Sequence, residues 1–504
     1  MNKEIQMKSH DIHGKTYRRT LIMILILMAT FAGTIMQTSM GTALPTLMSK
    51  FNINLNTAQQ STTWFLLANG IMIPLSAFLA NRFSTNWLHV FAYGLFIVGI
   101  LVTLSTPEKS SYWHLFILGR IIAASATGIM MPLMQMVIVN MFPHDKLGFA
   151  LGLSGLVIGM GPAIGPTLSG WILNKNHYIF GLTITNSWRT IFILPLIIVV
   201  IAFLLAIVLM KDIIPNKKQK LDLVSLLLST LGFGVFLLGF TNVATYGWTN
   251  FKNVLLFIFV GTIMLIWFIL RQLHLKEPFL DLKVFKSRDF TVATIAIILV
   301  TMAMYGVEMM LPTYLQNIHH LSPLNSGLTL LAGALMIGLM APVAGLLYNR
   351  AGIRRLTFVG FIILMLGTLP FMFLTDTTPT IIITILYAIR MTGVALAMMP
   401  LTTSAMNALP TEKSSDGTAA NNTLRQISSS IVVAVLTSTT QSIINNQTPS
   451  TQLKTTDPIL YAHKLIDATM NGFKSSFTLG FIFAFIGLLF VVFLKDEKKE
   501  VSDK

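Results

Sequence analysis

The chain has 504 residues, of which 54% are hydrophobic and 11% charged, with a formal net charge of +16 and no cysteine. A soluble domain carries about 25% charged residues, so this balance points to the bilayer rather than the cytosol. The absent cysteines exclude disulfides, thiolate metal sites and cysteine nucleophiles. The basic residues lie in short segments between apolar runs, where orientation in a membrane accounts for them and nucleic acid need not.

In chain order, Lys15, Arg18 and Arg19 precede an apolar run from Leu21 that continues through Gln37 to Pro45 with no convincing small-residue cleavage site. It reads as a retained first span, not a secretory leader. Runs of roughly 20 apolar residues, enough to cross about 30 Å of hydrocarbon, then recur along the chain. They give fourteen candidate spans, at 20–47, 58–80, 87–105, 113–140, 147–174, 187–210, 221–243, 252–271, 290–315, 325–348, 355–374, 378–403, 424–446 and 474–494. Such runs are too long for barrel strands, so an all-α polytopic membrane protein is predicted. The polar stretch at about 447–473 reads as the longest outer loop.

An even span count puts both termini on one side. With the termini cytoplasmic, the inner segments hold 25 Lys or Arg and the outer segments 8, which supports that orientation. The spans group as six in 1–210, two in 211–288 flanked by basic loops, and six in 289–504. A weak internal repeat supports two related halves. Ala77, Leu79, Asn81 and Arg82 follow the second span as Gly345, Leu347, Asn349 and Arg350 follow the tenth; Arg120 precedes Pro132 as Arg390 precedes Pro400. Repeats of this kind mark transporters whose substrate site lies between halves near the midplane.

Among the acidic residues, only Glu308 falls well inside an apolar run, Ile295 to Leu315. An ionisable side chain at that depth costs a few kcal/mol at least, about 2.5–3.5 for Asp on insertion scales, and is kept for a partner or a use. Glu308 is therefore a proton carrier, a recognition point for a cationic substrate, or half of a structural ion pair with an arginine. Thr301, Tyr305, Pro312 and Gln316 share its helical face, and Thr30, Thr34, Gln37 and Gly41 form a similar stripe in the first span. Thr34, Gln37, Thr301, Met304, Tyr305 and Gln316 are the candidate substrate contacts. Arg120 and Arg390 read as the only basic residues inside spans. A guanidinium stays protonated, so Arg120 is read as a counter-ion to a buried acid or as bonded to backbone carbonyls, and it joins Glu308 as a candidate for proton coupling.

The fifth span carries Gly155, Gly159, Gly161, Pro162, Gly165, Pro166 and Gly170. Small residues let helices approach closely and prolines permit bends, so this is a conformational element rather than a ligand site. Methionines cluster at Met130, Met131 and Met134, at Met304 and Met309, and at Met398 and Met399, where their flexibility suits either a permissive pocket or plain packing. The pair His319-His320 has no nearby carboxylates to make a metal site. Gly14-Lys15-Thr16 lacks the glycine a phosphate loop needs five residues earlier, since Ser9 stands there. No ATP-driven mechanism, metal or cofactor is expected; the energy source expected is a proton gradient.

Together, the fifth-span Gly-Pro segment, Arg120 through Pro132, the Asn81-Arg82 loop, Leu311 through Gln316 with Leu321 through Gly327, and Trp188-Arg189 resemble the major facilitator superfamily, in particular the fourteen-span drug:proton antiporters of the EmrB/QacA type. The resemblance implies two six-helix bundles plus two inserted helices, alternating access, and export of lipophilic, often cationic, compounds in exchange for protons. It implies gating loops at Asn81, Arg82, Asn349 and Arg350. The departures are specific. The family's first-span Asp is absent around Gln37; Ala77, Asn81, Ser84 and Thr85 replace the Gly, Asp, Gly and Arg of the loop after the second span; Asn349 replaces the Asp of its repeat. The expected partners are small lipophilic substrates, protons and membrane lipids, with no nucleic acid, and the expected form is a monomer in a bacterial cytoplasmic membrane. The competing cargoes are a lipid, peptide or metabolite that is exported or flipped. An embedded enzyme would need a cluster of His, Asp or Glu at one interface, and a sensor or scaffold would show no transport.

Overall fold

The computed structural model describes residues 11–142, 144–179, 182–214, 222–276, 278, 280–410 and 413–494. Nearly all of it is helix: α1 (Arg19–Thr38), α2 (Met40–Phe51), α3 (Leu55–Arg82), α4 (Thr85–Leu104), α5 (Trp113–Met141), α6 (His144–Asn174), α7 (Thr190–Leu209), α8 (Leu223–Tyr246), α9 (Leu256–His274), α10 (Arg288–Glu308), α11 (Leu311–Asn317), α12 (Pro323–Thr368), α13 (Thr380–Asn407), α14 (Ser414–Gln447), α15 (Thr451–Thr456) and α16 (Pro458–Phe490). The one sheet among the described residues is a hairpin, β1 (His177–Ile179) against β2 (Leu182–Ile184), with Tyr178 opposite Thr183.

Twelve helical segments among the described residues are long and apolar enough to cross a membrane. They coincide with twelve of the candidate spans. At the second and fifth candidates stand α3 and α6, which have the length, 28 and 31 residues, but carry more polar and small residues. The helix α12 holds two spans, Pro323–Tyr348 and Arg350–Phe373, separated by a turn at Gly352 with φ 78° and ψ 168°. That backbone is one an L side chain resists, which is why glycine stands there.

Three expectations are corrected. The segment 447–473 is not a loop: α15 and the first turns of α16 occupy most of it. The first and ninth candidate spans are each interrupted, at Ser39 and at Met309-Met310. Pro312 explains the second break, since it lacks an amide hydrogen and its ring crowds the carbonyl four residues back, at Glu308. At the first, Ser39 and Thr38 turn their hydroxyls onto the carbonyls of Ile35 and Thr34, at 2.7 and 3.0 Å, a bonding that bends helices. The third correction concerns α14. It begins at Ser414, ten residues before the apolar run, so Arg425, at the very edge of the candidate span 424–446, sits well inside the helix as a third cation beside Arg120 and Arg390. Hydropathy alone could not find those turns because Asn421, Asn422 and Thr423 are polar.

One buried apolar cluster draws its residues from Ile22 to Ile214. A second runs from Leu280 to Leu494, with Leu55, Leu66, Leu228 and Phe268 added. The helices α8 and α9 pack on each other, and α8 lies against α3 and α14. Their outward faces are strongly exposed, with Leu227, Phe259, Ile263 and Trp267 among the exposed apolar side chains. For a membrane span such a face is covered by lipid.

Candidate functional site: a cavity between the two interrupted helices

The two interruptions face each other. Gly41, just past the first, has Pro312 Cγ 3.7 Å from where its Cβ would stand. Gln316 donates to the carbonyl of Thr42 at 3.0 Å, and Gln59 on α3 donates to the carbonyl of Met309 at 3.1 Å. Asn56 accepts from Ser438 at 3.1 Å, and Ser430 donates to the carbonyl of Thr63 at 2.7 Å. These bonds tie early helices to late ones on the side that carries Phe51 and Asn317.

Toward the opposite end, where Arg82 and Arg350 are exposed, the helices leave space. A small cavity of about 90 Å³ is lined by Gln37, Thr38, Thr62, Met304, Tyr305, Glu308, Tyr387 and Met391, among others. A larger one of about 330 Å³ shares Gln37, Thr38, Met304 and Tyr305 and adds Thr34, Met131, Thr301, Met398, Met399, Arg425, Gln426 and Ser429. Five of the six candidate substrate contacts thus line one connected region, as does Glu308. The sixth, Gln316, stands apart, bonded to Thr42. The break at Met309-Met310 is the reason: it rotates Gln316 off the face that Thr301 and Tyr305 share.

Glu308 ends α10, and its Oε2 is buried without a hydrogen-bond partner. Arg390 is bonded to the backbone one turn earlier in the same helix. Arg390 is fully buried. Its Nη2 donates to the carbonyls of Ala303 at 2.7 Å and Met304 at 3.3 Å, and its Nε to Thr368 Oγ1 at 3.3 Å. Arg120 occupies the corresponding place on the other interrupted helix. It too is fully buried, donating from Nη1 to the carbonyl of Met36 at 2.9 Å and from Nε to that of Ser61 at 3.3 Å, with Phe65 beneath its guanidinium at 4.2 Å. Each arginine holds the turn just before a break; for Arg120 the observed partners are backbone carbonyls.

The Gly-Pro segment of α6 is pressed against α1 and α12. A Cβ on Gly161 would stand 2.6 Å from Thr34 Cβ, and one on Gly165 would overlap Thr38 Oγ1. Thr38 donates to the carbonyl of Gly161 at 2.9 Å and Ser39 to that of Gly165 at 3.3 Å. Gly327 of α12 faces the carbonyl of Pro166, with 2.7 Å left for a Cβ. This places the segment beside the cavity rather than in it, apart from Pro166, which lines the smaller cavity. Gly155, Gly159 and Pro162 lie in the same helix, with side chains outside the described residues, as are those of Asn81 and Asn349.

The loop after α3 shows how its departures are accommodated. Ser84 has φ −54° and ψ 132°, a conformation open to any residue, and it caps α4. Its hydroxyl donates to Asp212 Oδ1 at 2.5 Å, and the amide of Asn86 donates to the same oxygen at 3.2 Å. His13 Nε2 lies 3.3 Å from the other carboxylate oxygen. Burial works against the Asp212 carboxylate, but the bonds from Ser84, Asn86 and His13 outweigh it and hold its pKa below the usual carboxylate range. Trp188 and Arg189 also have a partner the sequence hid: Glu108 accepts from Trp188 Nε1 at 2.9 Å and from Arg189 Nη1 at 2.5 Å. His319 is bonded to the Tyr314 hydroxyl at 2.8 Å. Sequence reading missed Tyr387, Gln426 and Ser429 as cavity residues because polar side chains scattered through long apolar helices give no stripe.

The Major Facilitator Superfamily model matches residues 25–433. The chain is 39% identical over 494 residues to the MFS-type transporter YcnB of Bacillus subtilis (strain 168), covering 98% of this chain and 99% of that one. It is 34% identical over 492 residues to the lincomycin resistance protein LmrB of Listeria innocua, covering 98% and 100%. A crystal structure of a bacterial homologue of the human lysosomal transporter Spinster, inward-facing and occupied, matches with TM-score 0.63 at 12% identity, covering 95% of this chain and 97% of that one. That last likeness is one of fold alone.

Proposed function

The chain belongs to the major facilitator superfamily of membrane transporters, and on that premise we propose that it exports lipophilic, cationic compounds across a bacterial cytoplasmic membrane in exchange for protons, by alternating access between residues 1–210 and 289–504. In this reading α3 and α6 complete fourteen spans of the EmrB/QacA type, 211–288 is the inserted pair, and both termini are cytoplasmic. The observation that carries it is Glu308: a half-buried carboxyl whose Oε2 is buried and unpartnered, lining the same space as Gln37, Tyr305 and Met304. An ionisable group kept at membrane depth and turned into a cavity marks an ion or substrate path. A carboxyl there binds a proton from one side or a cation from the other, but not both at once, which is the exclusion an exchanger needs. A relative's name, lincomycin resistance, supports a drug as cargo.

With that orientation the bonded end around Thr42 and Gln316 is the outer one, and the cavity opens to the cytoplasm. Arg120 and Arg390 then keep the interrupted helices in shape while α6 slides against Thr34 and Thr38. The test is transport of ethidium in liposomes under an imposed pH gradient, comparing wild type with Glu308→Gln. Gradient-driven uptake lost in the variant supports the reading. Equal uptake removes Glu308 from it, and no uptake by folded wild type moves the cargo to a lipid, peptide or metabolite.

A further inference from the structure

A larger cavity than these two lies elsewhere. It measures about 520 Å³ and sits between α3, α8, α9 and α14, walled by Ile71, Phe233, Phe268, Leu424 and Ile431, among others. That volume is in the range, about 300–1,000 Å³, of sites that hold a small molecule. Thr423, which lines the cavity, is 3% exposed, and its Oγ1 is buried without a hydrogen-bond partner. The lower wall is the connection between α9 and α10, through Leu280, Leu282 and Phe285. That connection is basic. Arg271 is paired with Asp222, and Lys413 with Asp281, but Lys276 and Lys286 are exposed and in no ion pair among the described residues.

A lipophilic cation would be repelled by that rim, and an uncharged compound would draw nothing from it. We infer that the cavity takes an acyl chain of an anionic phospholipid, whose phosphate is held at the rim by Lys276 and Lys286. The solvent of this surface is lipid, so the ligand is present at high concentration. The same stretch of α14 separates this cavity from the candidate substrate cavity: Leu424 and Ile427 face one, Arg425, Gln426 and Ser429 the other. At Gly70 the helices α3 and α14 are in close contact, a Cβ there standing 3.1 Å from Ile427 Cγ1. A chain in the cavity therefore bears directly on the helix that carries Arg425. The inference does not depend on the identity of the exported compound.

Delipidated full-length protein is titrated with phosphatidylglycerol and with phosphatidylcholine of the same chains and followed by native mass spectrometry. Wild type binds one phosphatidylglycerol in preference to phosphatidylcholine. A lysine near a membrane surface contributes about fivefold in anionic-lipid affinity, so Lys276→Gln with Lys286→Gln lowers the preference by roughly 25-fold. These two surface changes leave the packed core alone. Leu273→Trp, on the exposed lip of the cavity, lowers the affinity for both lipids. Equal binding of the two lipids by wild type overturns the proposal, as does binding unchanged by Leu273→Trp. Displacement of phosphatidylglycerol by tetraphenylphosphonium also overturns it, because the cavity would then belong to the cargo.

Discussion

Arg390 and Glu308 lie near each other in the buried interior without forming an ion pair. The guanidinium gives Nη2 to the carbonyls of Ala303 and Met304, and Oε2 of Glu308 is left without a partner. Oε2 of Glu308 and Nη1 of Arg390 are thus both buried without a partner, while Nη2 of Arg390 is held on the backbone of α10. The readings of Glu308 that its sequence position left open make different demands on its variants.

If Glu308 were half of a structural pair, removing its charge would cost several kcal/mol, about 3–5 when a buried pair is broken. The observed geometry predicts otherwise. Glu308→Gln should leave thermal unfolding in detergent within about 1 kcal/mol of wild type, since surface and unpaired changes rarely exceed that, while pH-driven transport is lost. A drop in stability of several kcal/mol in Glu308→Gln, relieved by Arg390→Gln in the same chain, would establish the pair and end the carrier role.

Arg390 and Arg120 should behave alike although only one is near an acid. Each is fully buried and bonded to carbonyls of an interrupted helix. Removing either leaves those carbonyls and a buried gap, at about 2–4 kcal/mol. Lysine cannot reproduce the fork of bonds, so Arg120→Lys and Arg390→Lys should lose most of that stability too. Unfolding curves for the four single variants, Gln and Lys at each site, check this. A tolerated Arg120→Lys would mean that its charge and not its fork is what counts.

Much of this was legible in the sequence, and the illegible part has physical causes. Apolar runs long enough to span a membrane mark helices whatever else they do, so twelve of the spans were readable, although α14 and α16 start well before their apolar runs. Glu308 was readable because one acid in an apolar run has a large cost. What hydropathy could not give was the phase of a helix beyond a break: Gln316 is in step with Thr301 in sequence but past Pro312 in space. Arg425 read as the end of a span because the turns of α14 that precede it are polar. Asp212 and Glu108 looked like ordinary loop acids. Their roles come from Ser84 and Arg189, which are 128 and 81 residues away in the chain, and no local pattern encodes such a pairing.

The contact of α6 with α1 makes a prediction about space alone. A methyl on Gly165 would overlap the Thr38 hydroxyl, and overpacking of a tight interface costs about 1–3 kcal/mol. Gly165→Ala should therefore destabilise the protein and slow transport. Thr38→Ala removes the obstructing oxygen, so the double variant should recover part of the loss despite losing the Thr38 bond to Gly161. A double-variant cycle in thermal unfolding measures the coupling, and strict additivity of the two changes would refute the contact.

Asp212 supplies a pH dependence whose sign is fixed by its surroundings. The bonds from Ser84 and from the amide of Asn86 hold its pKa below the ordinary value of 3.8. A carboxyl depressed in the folded state adds stability that is complete above its unfolded pKa and fades as pH falls through the folded one. Ser84→Ala removes both the cap of α4 and the shortest of these bonds, a loss of about 1–2 kcal/mol. The difference in unfolding temperature between wild type and Ser84→Ala should then be full at pH 7, hold to about pH 5, and narrow below pH 4 as Asp212 takes up its proton. A cap contribution remains at the lowest pH, because it needs no charge. A difference that stayed constant from pH 7 to pH 3 would show that Ser84 acts as a cap only, and that Asp212 does not anchor the loop in the place of the acid this chain lacks.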